Sequence, residues 1–104
     1  MNPNAARRKI LIIEDEPLIR NVLFVLLAGL DCDSEIAYSG RQALGMMSRN
    51  KFDAVLLDIR CAEVQPEEMV SEIMKIRPNL VGRIFIISDL SVVPKFSPRK
   101  WFRK

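Results

Sequence analysis

The stretch KILIIEDEPL, residues 9–18, decides the fold. Ile10, Leu11, Ile12 and Ile13 follow one another with no polar residue between them. A strand with one wet face alternates apolar and polar side chains; a strand covered on both faces does not, and that second pattern belongs to parallel sheets. The run ends abruptly on Glu14, Asp15 and Glu16, and Pro17 follows. Proline suits the first turn of a helix, where its missing N–H has no intrahelical bond to lose. Beyond it, Leu18, Val22 and Leu26 fall on one helical stripe and Ile19, Leu23 and Leu27 on the adjacent one. That wide apolar face predicts a helix of about 12–14 residues laid over a sheet.

The pattern then repeats with variations. SEIAYS (34–39) reads as a shorter strand, and Ser39 as the N-cap of a helix from Gly40 through Met47, with Ala43, Leu44 and Met47 inward. FDAVLLD (52–58) is a third strand, apolar on both faces until Asp58. Pro66 opens a third helix. Its Glu67 and Glu68 at the start and Lys75 and Arg77 at the end complement the helix dipole. Met69, Ile73 and Ile76 form its core stripe, and Pro78 stops it. RIFIIS (83–88) is the fourth strand. Strands alternating with helices imply a parallel α/β sheet with right-handed crossovers, doubly wound with helices on both faces.

Composition narrows the function. The chain has 104 residues, enough for one domain with a single core. Its longest apolar run, VLFVLLAGL (22–30), is far short of the roughly 20 residues that span a bilayer. MNPNAARR leads into a strand with no secretory h-region, and Cys32 and Cys61 form no CxxC motif, so a reducing cytoplasm is the expected setting. The absence of histidine excludes Ser-His and Cys-His nucleophile pairs. The net charge of +3 conceals an asymmetry: residues 10–94 hold eight basic and all thirteen acidic residues, while both ends are basic. An acidic body repels nucleic acid phosphates, so a solvated basic terminus is the preferred reading of Lys95, Arg99, Lys100, Arg103 and Lys104.

In doubly wound sheets ligands bind beyond the carboxyl ends of the strands, where the strand order reverses. Asp15 follows the first strand and Asp58 ends the third; if those strands are neighbours, both acids project from one edge, with Glu14 beside them. Carboxylates held close repel one another, and a divalent cation relieves the repulsion. Hard oxygen donors with water completing an octahedron suit magnesium. Glu16 is expected to face solvent.

KILIIEDEP followed by FDAVLLDI resembles the receiver domain of two-component response regulators, and SGRQAL resembles the start of that family's second helix. The resemblance covers roughly residues 8–90 and implies a flavodoxin-like strand order 2-1-3-4. It implies that Asp58 accepts a phosphoryl group from a histidine kinase or phosphotransfer protein, with Mg2+ as cofactor. Asp15 then matches the direct metal ligand, Glu14 a ligand through water, and Arg60 the residue lending a backbone carbonyl, its side chain not implicated. Ser88 matches the hydroxyl residue that hydrogen-bonds the phosphoryl group. Such a chain is not a conventional enzyme; at most it phosphorylates and dephosphorylates itself.

The chain departs from the family pattern after Asp58, where Ala62 and Pro66 replace the usual Pro and Gly, and at Asp89, a negative charge next to Ser88. The C-terminus departs further. The residues left after Ser88 cannot supply a crossover of about 10–12 residues, a strand and a helix of about 10. The expectation is therefore a receiver-like domain over 1–90 and a basic tail over 91–104 in place of the last βα unit. SVVPKF (91–96) offers Lys95 for the family's phosphate-pairing lysine, but a strand there reaches the fourth strand only as an antiparallel hairpin, so Lys95 is not assigned. The fourth strand becomes an exposed apolar edge, which predicts homo-oligomers through it and the tail, or cover by Phe96, Trp101 and Phe102. The alternative function is a pseudo-receiver that binds partners without phosphorylation. A nucleic-acid binder ranks last, and for a magnesium phosphatase a second acid is expected where Arg60 stands.

Overall fold

The computed structural model describes residues 7–60, 65–88 and 100–103. In chain order these are β1 (Arg8–Ile13), α1 (Pro17–Gly29), β2 (Cys32–Ala37), α2 (Gly40–Arg49), β3 (Ala54–Asp58), α3 (Pro66–Ile76), a 3-10 helix (Pro78–Arg83), β4 (Ile84–Ser88) and β5 (Lys100–Arg103). They build one sheet of order β2-β1-β3-β4-β5 with every neighbouring pair parallel. The first four strands stand in the expected order 2-1-3-4. The 3-10 helix was not foreseen: Pro78 ends α3, as expected, and also starts the short helix that follows.

Period-two alternation sorts the strand residues into two layers. Leu11 and Ile13 of β1, Val55 and Leu57 of β3, and Ile84 and Ile86 of β4 meet Ala43 and Met47 of α2 and Met69 and Ile73 of α3. On the opposite face Ile10, Ile12, Ala54, Leu56 and Ile87 meet Leu23 and Leu27 of α1. The unbroken apolar runs are thus explained by burial on both sides. Each Val, Leu, Ile or Met fully buried among them contributes about 1.5–3 kcal/mol by leaving water.

Local chemistry sets the ends of the elements. The Ser39 side chain accepts a hydrogen bond from the Gln42 N–H (3.1 Å), and the Gln42 side chain accepts one from the Tyr38 N–H (2.7 Å), which closes the start of α2. At the amino-terminal edge of the sheet Asp53 clamps β1 to β3: its carboxylate accepts from the Lys9 N–H and its own N–H donates to the Lys9 carbonyl, both at 2.7 Å.

Three expectations are corrected. Of the two stripes on α1, Ile19, Leu23 and Leu27 are half-buried, whereas Leu18, Val22 and Leu26 are exposed, Leu18 by 70%. A helix on a flat sheet seats only one side, and a stripe of apolar residues cannot by itself say which side that is. Second, Lys100–Arg103 pair with β4 in parallel register, from Phe85↔Lys100 to Ser88↔Arg103, and form no antiparallel hairpin. The strand lies later than SVVPKF, so residues 89–99 span the gap, a length that meets the minimum for a crossover. Third, β4 is consequently an inner strand, and the edges are β2 and β5. The physical basis for oligomers through an open fourth strand is therefore absent. Phe96, Lys95 and Asp89 lie outside the described residues, as do Cys61 and Ala62. Trp101 and Phe102 are strand residues of β5.

No helix among the described residues is long and apolar enough to cross a membrane. Replacing Leu57, fully buried between β1 and β4, by Ala should cost about 3 kcal/mol in urea denaturation. Leu26→Gln, on the exposed stripe of α1, should change stability by no more than about 0.5 kcal/mol; a loss as large as that of Leu57→Ala would place the wrong stripe of α1 against the sheet. Asp53→Ala should cost about 1–2 kcal/mol by the same measurement, because it leaves the Lys9 N–H without its acceptor.

Candidate functional site

The register of the two central strands brings the acids together. β1 and β3 pair up to Ile13↔Leu57, so Glu14 and Asp58 are the next residue on each strand. The Glu14 N–H donates to the Ala37 carbonyl at 3.1 Å, which carries the β1–β2 ladder one residue past the strand end. Asp58 pairs with Ile87, and the Ile59 N–H donates to the Ile87 carbonyl at 3.1 Å. The acids therefore sit at the carboxyl edge on an inner pair of strands, at the point where the order turns from β1 outward to β2 on one side and to β3 on the other.

Both side chains are buried, each 1% exposed, and they are the only buried charged residues among the described residues. Glu14 and Asp58 share the parity of Ile10, Ile12, Ala54 and Leu56, the residues of the α1 layer. The Glu14 carboxylate accepts from the Glu16 N–H at 3.4 Å, a long contact that turns it toward the start of α1. The amino end of a helix carries partial positive charge and favours an anion there. Asp15 and Glu16 are exposed. For Glu16 this is the expected place; Asp15 follows Glu14 in sequence but is not buried with it. Among the described residues no group of three or more His, Cys, Asp or Glu is arranged to hold a metal ion by itself. Ser88 closes β4 one residue past Ile87, which brings its backbone to the same edge.

A side chain that sequence reasoning set aside is in contact with Asp58. The Arg60 N–H donates to Asp58 Oδ1 at 2.9 Å, an Asx turn immediately after the strand. Its guanidinium reaches the same carboxylate, with Nη2 3.2 Å from Oδ2 and Nε 3.4 Å from Oδ1. The signal was available in the Asp-Ile-Arg spacing: in a turn, a side chain two residues on is long enough to fold back. What made the contact matter was the burial of Asp58, which local sequence does not reveal.

The donor set is compatible with magnesium. Two buried carboxylates on adjacent strand ends, with a third acid next in sequence, supply hard oxygen atoms. Magnesium needs only one or two carboxylates and keeps several waters, so no closed cage is required.

Residues 10–94 match the sequence profile of the response regulator receiver domain. The transcriptional regulatory protein ZraR of Escherichia coli is 36% identical over 71 residues, which cover 68% of this chain and 16% of that protein. The response regulator protein PilR of Pseudomonas aeruginosa is 32% identical over 74 residues, 71% of this chain and 17% of its own length. The chain thus matches less than a fifth of the length of these curated relatives. The response regulator protein TrrA of Thermotoga maritima, solved in complex with magnesium and BeF, superposes with a TM-score of 0.77 at 25% identity, over 93% of this chain and 86% of that one.

Proposed function

The chain belongs to the receiver domains of response regulators, the family of two-component signalling, and from that premise we propose that Asp58 is its phosphoacceptor and that Mg2+ is the cation of the site. The observation that carries the proposal is a wholly buried carboxylate ending an inner parallel strand, beside a second buried acid. Asp58 Oδ attacks phosphorus in the phosphohistidine of a partner kinase or phosphotransfer protein. The N–P bond breaks, its electron pair returns to the imidazole nitrogen, and an aspartyl phosphate forms. Asp15 and Asp58 are the direct ligands of the metal, Glu14 acts through water, and the Arg60 carbonyl completes the protein's share. When bound, the metal offsets the negative charge that gathers as an anionic phosphoryl group meets an anionic nucleophile.

Ser88 ends β4; its side chain lies outside what the structure describes, and its proposed part is to supply a hydroxyl for a phosphoryl oxygen and so to couple the new charge to a change of conformation. The cytoplasm, where kinases present phosphohistidine, is the setting this chemistry requires. A second reading, a receiver fold that binds partners without phosphorylation, draws support from the exposed Asp15 and from the guanidinium already seated on Asp58.

Acetyl phosphate separates the two. Incubation with Mg2+ should place one phosphoryl group on the protein, detected by intact mass, and Asp58→Ala should abolish it. An unlabelled native protein supports the second reading, and labelling that survives Asp58→Ala moves the acceptor elsewhere. Magnesium should also raise the unfolding free energy measured by urea denaturation, by about 2.7 kcal/mol at a hundred times its dissociation constant. This gain should vanish in Asp58→Ala and shrink in Asp15→Ala; equal gains in all three proteins would mean that the ion binds elsewhere.

A further inference from the structure

Asp58 and Arg60 form an unequal pair. The carboxylate is 1% exposed, whereas the Arg60 side chain is 47% exposed. A carboxylate removed from water needs a cation or several hydrogen bonds, or its burial is strongly unfavourable. Here the Asx turn supplies one N–H to Oδ1, and the guanidinium supplies charge to both oxygens. The planar fork of arginine matches the two oxygens of a carboxylate, which a lysine ammonium cannot do.

A dication at this edge needs an oxygen of the same carboxylate. Guanidinium and metal carry like charge, and both cannot remain in contact with one carboxylate without strong repulsion. The backbone N–H of Arg60 can stay, because it belongs to the turn and is uncharged. The half-exposed guanidinium is the group able to leave, since water takes it up at little cost, while Asp58 cannot follow it out of the core.

We propose that the Arg60 side chain is an internal counter-ion that competes with Mg2+ for Asp58 and so sets the affinity of the site for the metal. This rests on the reading of Asp58 as a metal ligand. Binding is then an exchange: the metal takes the carboxylate as the guanidinium swings into solvent. Arg60 acts as a positioning residue through Asp58, and the role is distinct from its backbone carbonyl, which any residue at 60 retains.

The test is calorimetric titration of the full chain with magnesium chloride at constant ionic strength, on the native protein, Arg60→Gln, Arg60→Lys and Asp58→Ala. A half-exposed ion pair removed from the competition should tighten magnesium binding about five- to tenfold in Arg60→Gln. Arg60→Lys, which keeps the charge but loses the fork, should fall between, and it carries the comparison should the Gln variant fail to fold by circular dichroism. Labelling by acetyl phosphate should be faster in Arg60→Gln at low magnesium, and the two rates should converge at saturation. Equal or weaker magnesium binding in both Arg60 variants overturns the proposal while leaving the metal reading intact. A rate gap that persists at saturating magnesium also overturns it, because Arg60 then acts on the transfer step. No magnesium binding by any of the four proteins defeats the metal reading itself, and the proposal with it.

Discussion

Asp58 is a charge held in a place where charge is unwelcome. It ends β3, the strand with every residue buried, and it is covered as completely as the leucine before it. In that setting a carboxylate needs a cation or several hydrogen bonds. Much of the carboxyl edge serves this need. The parallel register sets a second buried acid, Glu14, opposite it, which sharpens the need, while the Asx turn directs an N–H at Asp58 and the Arg60 guanidinium reaches both of its oxygens. Under the proposed function that carboxylate becomes a nucleophile and then an acyl phosphate, so the cation beside it has to be exchangeable. A guanidinium on a half-exposed stem meets this condition, whereas one locked in the core would not.

The sheet makes such burial possible. Apolar residues on both faces of β1 and β3 build two layers, one with α2 and α3 and one with α1. The layers differ. The α2–α3 side is closed by fully buried Met47, Met69 and Ile73, whereas α1 contributes no fully buried residue and carries Leu18, Val22, Val25 and Leu26 toward the outside. The opposite, amino-terminal edge is fixed by the Asp53 clamp, a local and rigid device. Rigidity at one edge and an acid pair at the other is the usual division in open α/β sheets, where strand starts stabilise and strand ends bind.

Much of this was legible in the sequence. KILII and AVLLD announced strands covered on both sides, and the acids following them announced the working edge. Ser39 gave the start of α2 in advance, and Pro66 with Glu67 and Glu68 the start of α3. The illegible parts were those set by orientation. Leu18, Val22 and Leu26 have the same spacing as Ile19, Leu23 and Leu27, so periodicity could not tell which stripe faces the sheet. Lys100–Arg103 is short and shows no apolar alternation, so residues 91–104 read as a basic tail and not as a last strand. Arg60 was read as a backbone position, because a surface arginine two residues from an acid is ordinary until the acid is known to be buried.

The sequence by itself determined the first four strands and the three α-helices, where those helices begin, and that acids terminate two buried strands. These are matters of period and of neighbours a few residues apart, and short-range sterics and hydrogen bonding decide them. Only the tertiary structure decided that β5 runs parallel to β4, that one stripe of α1 faces outward, and that the Arg60 side chain is seated on Asp58. Each of these depends on segments far apart in the chain excluding water from one another. Desolvation turns an otherwise screened contact between residues 58 and 60 into the central ion pair of the site.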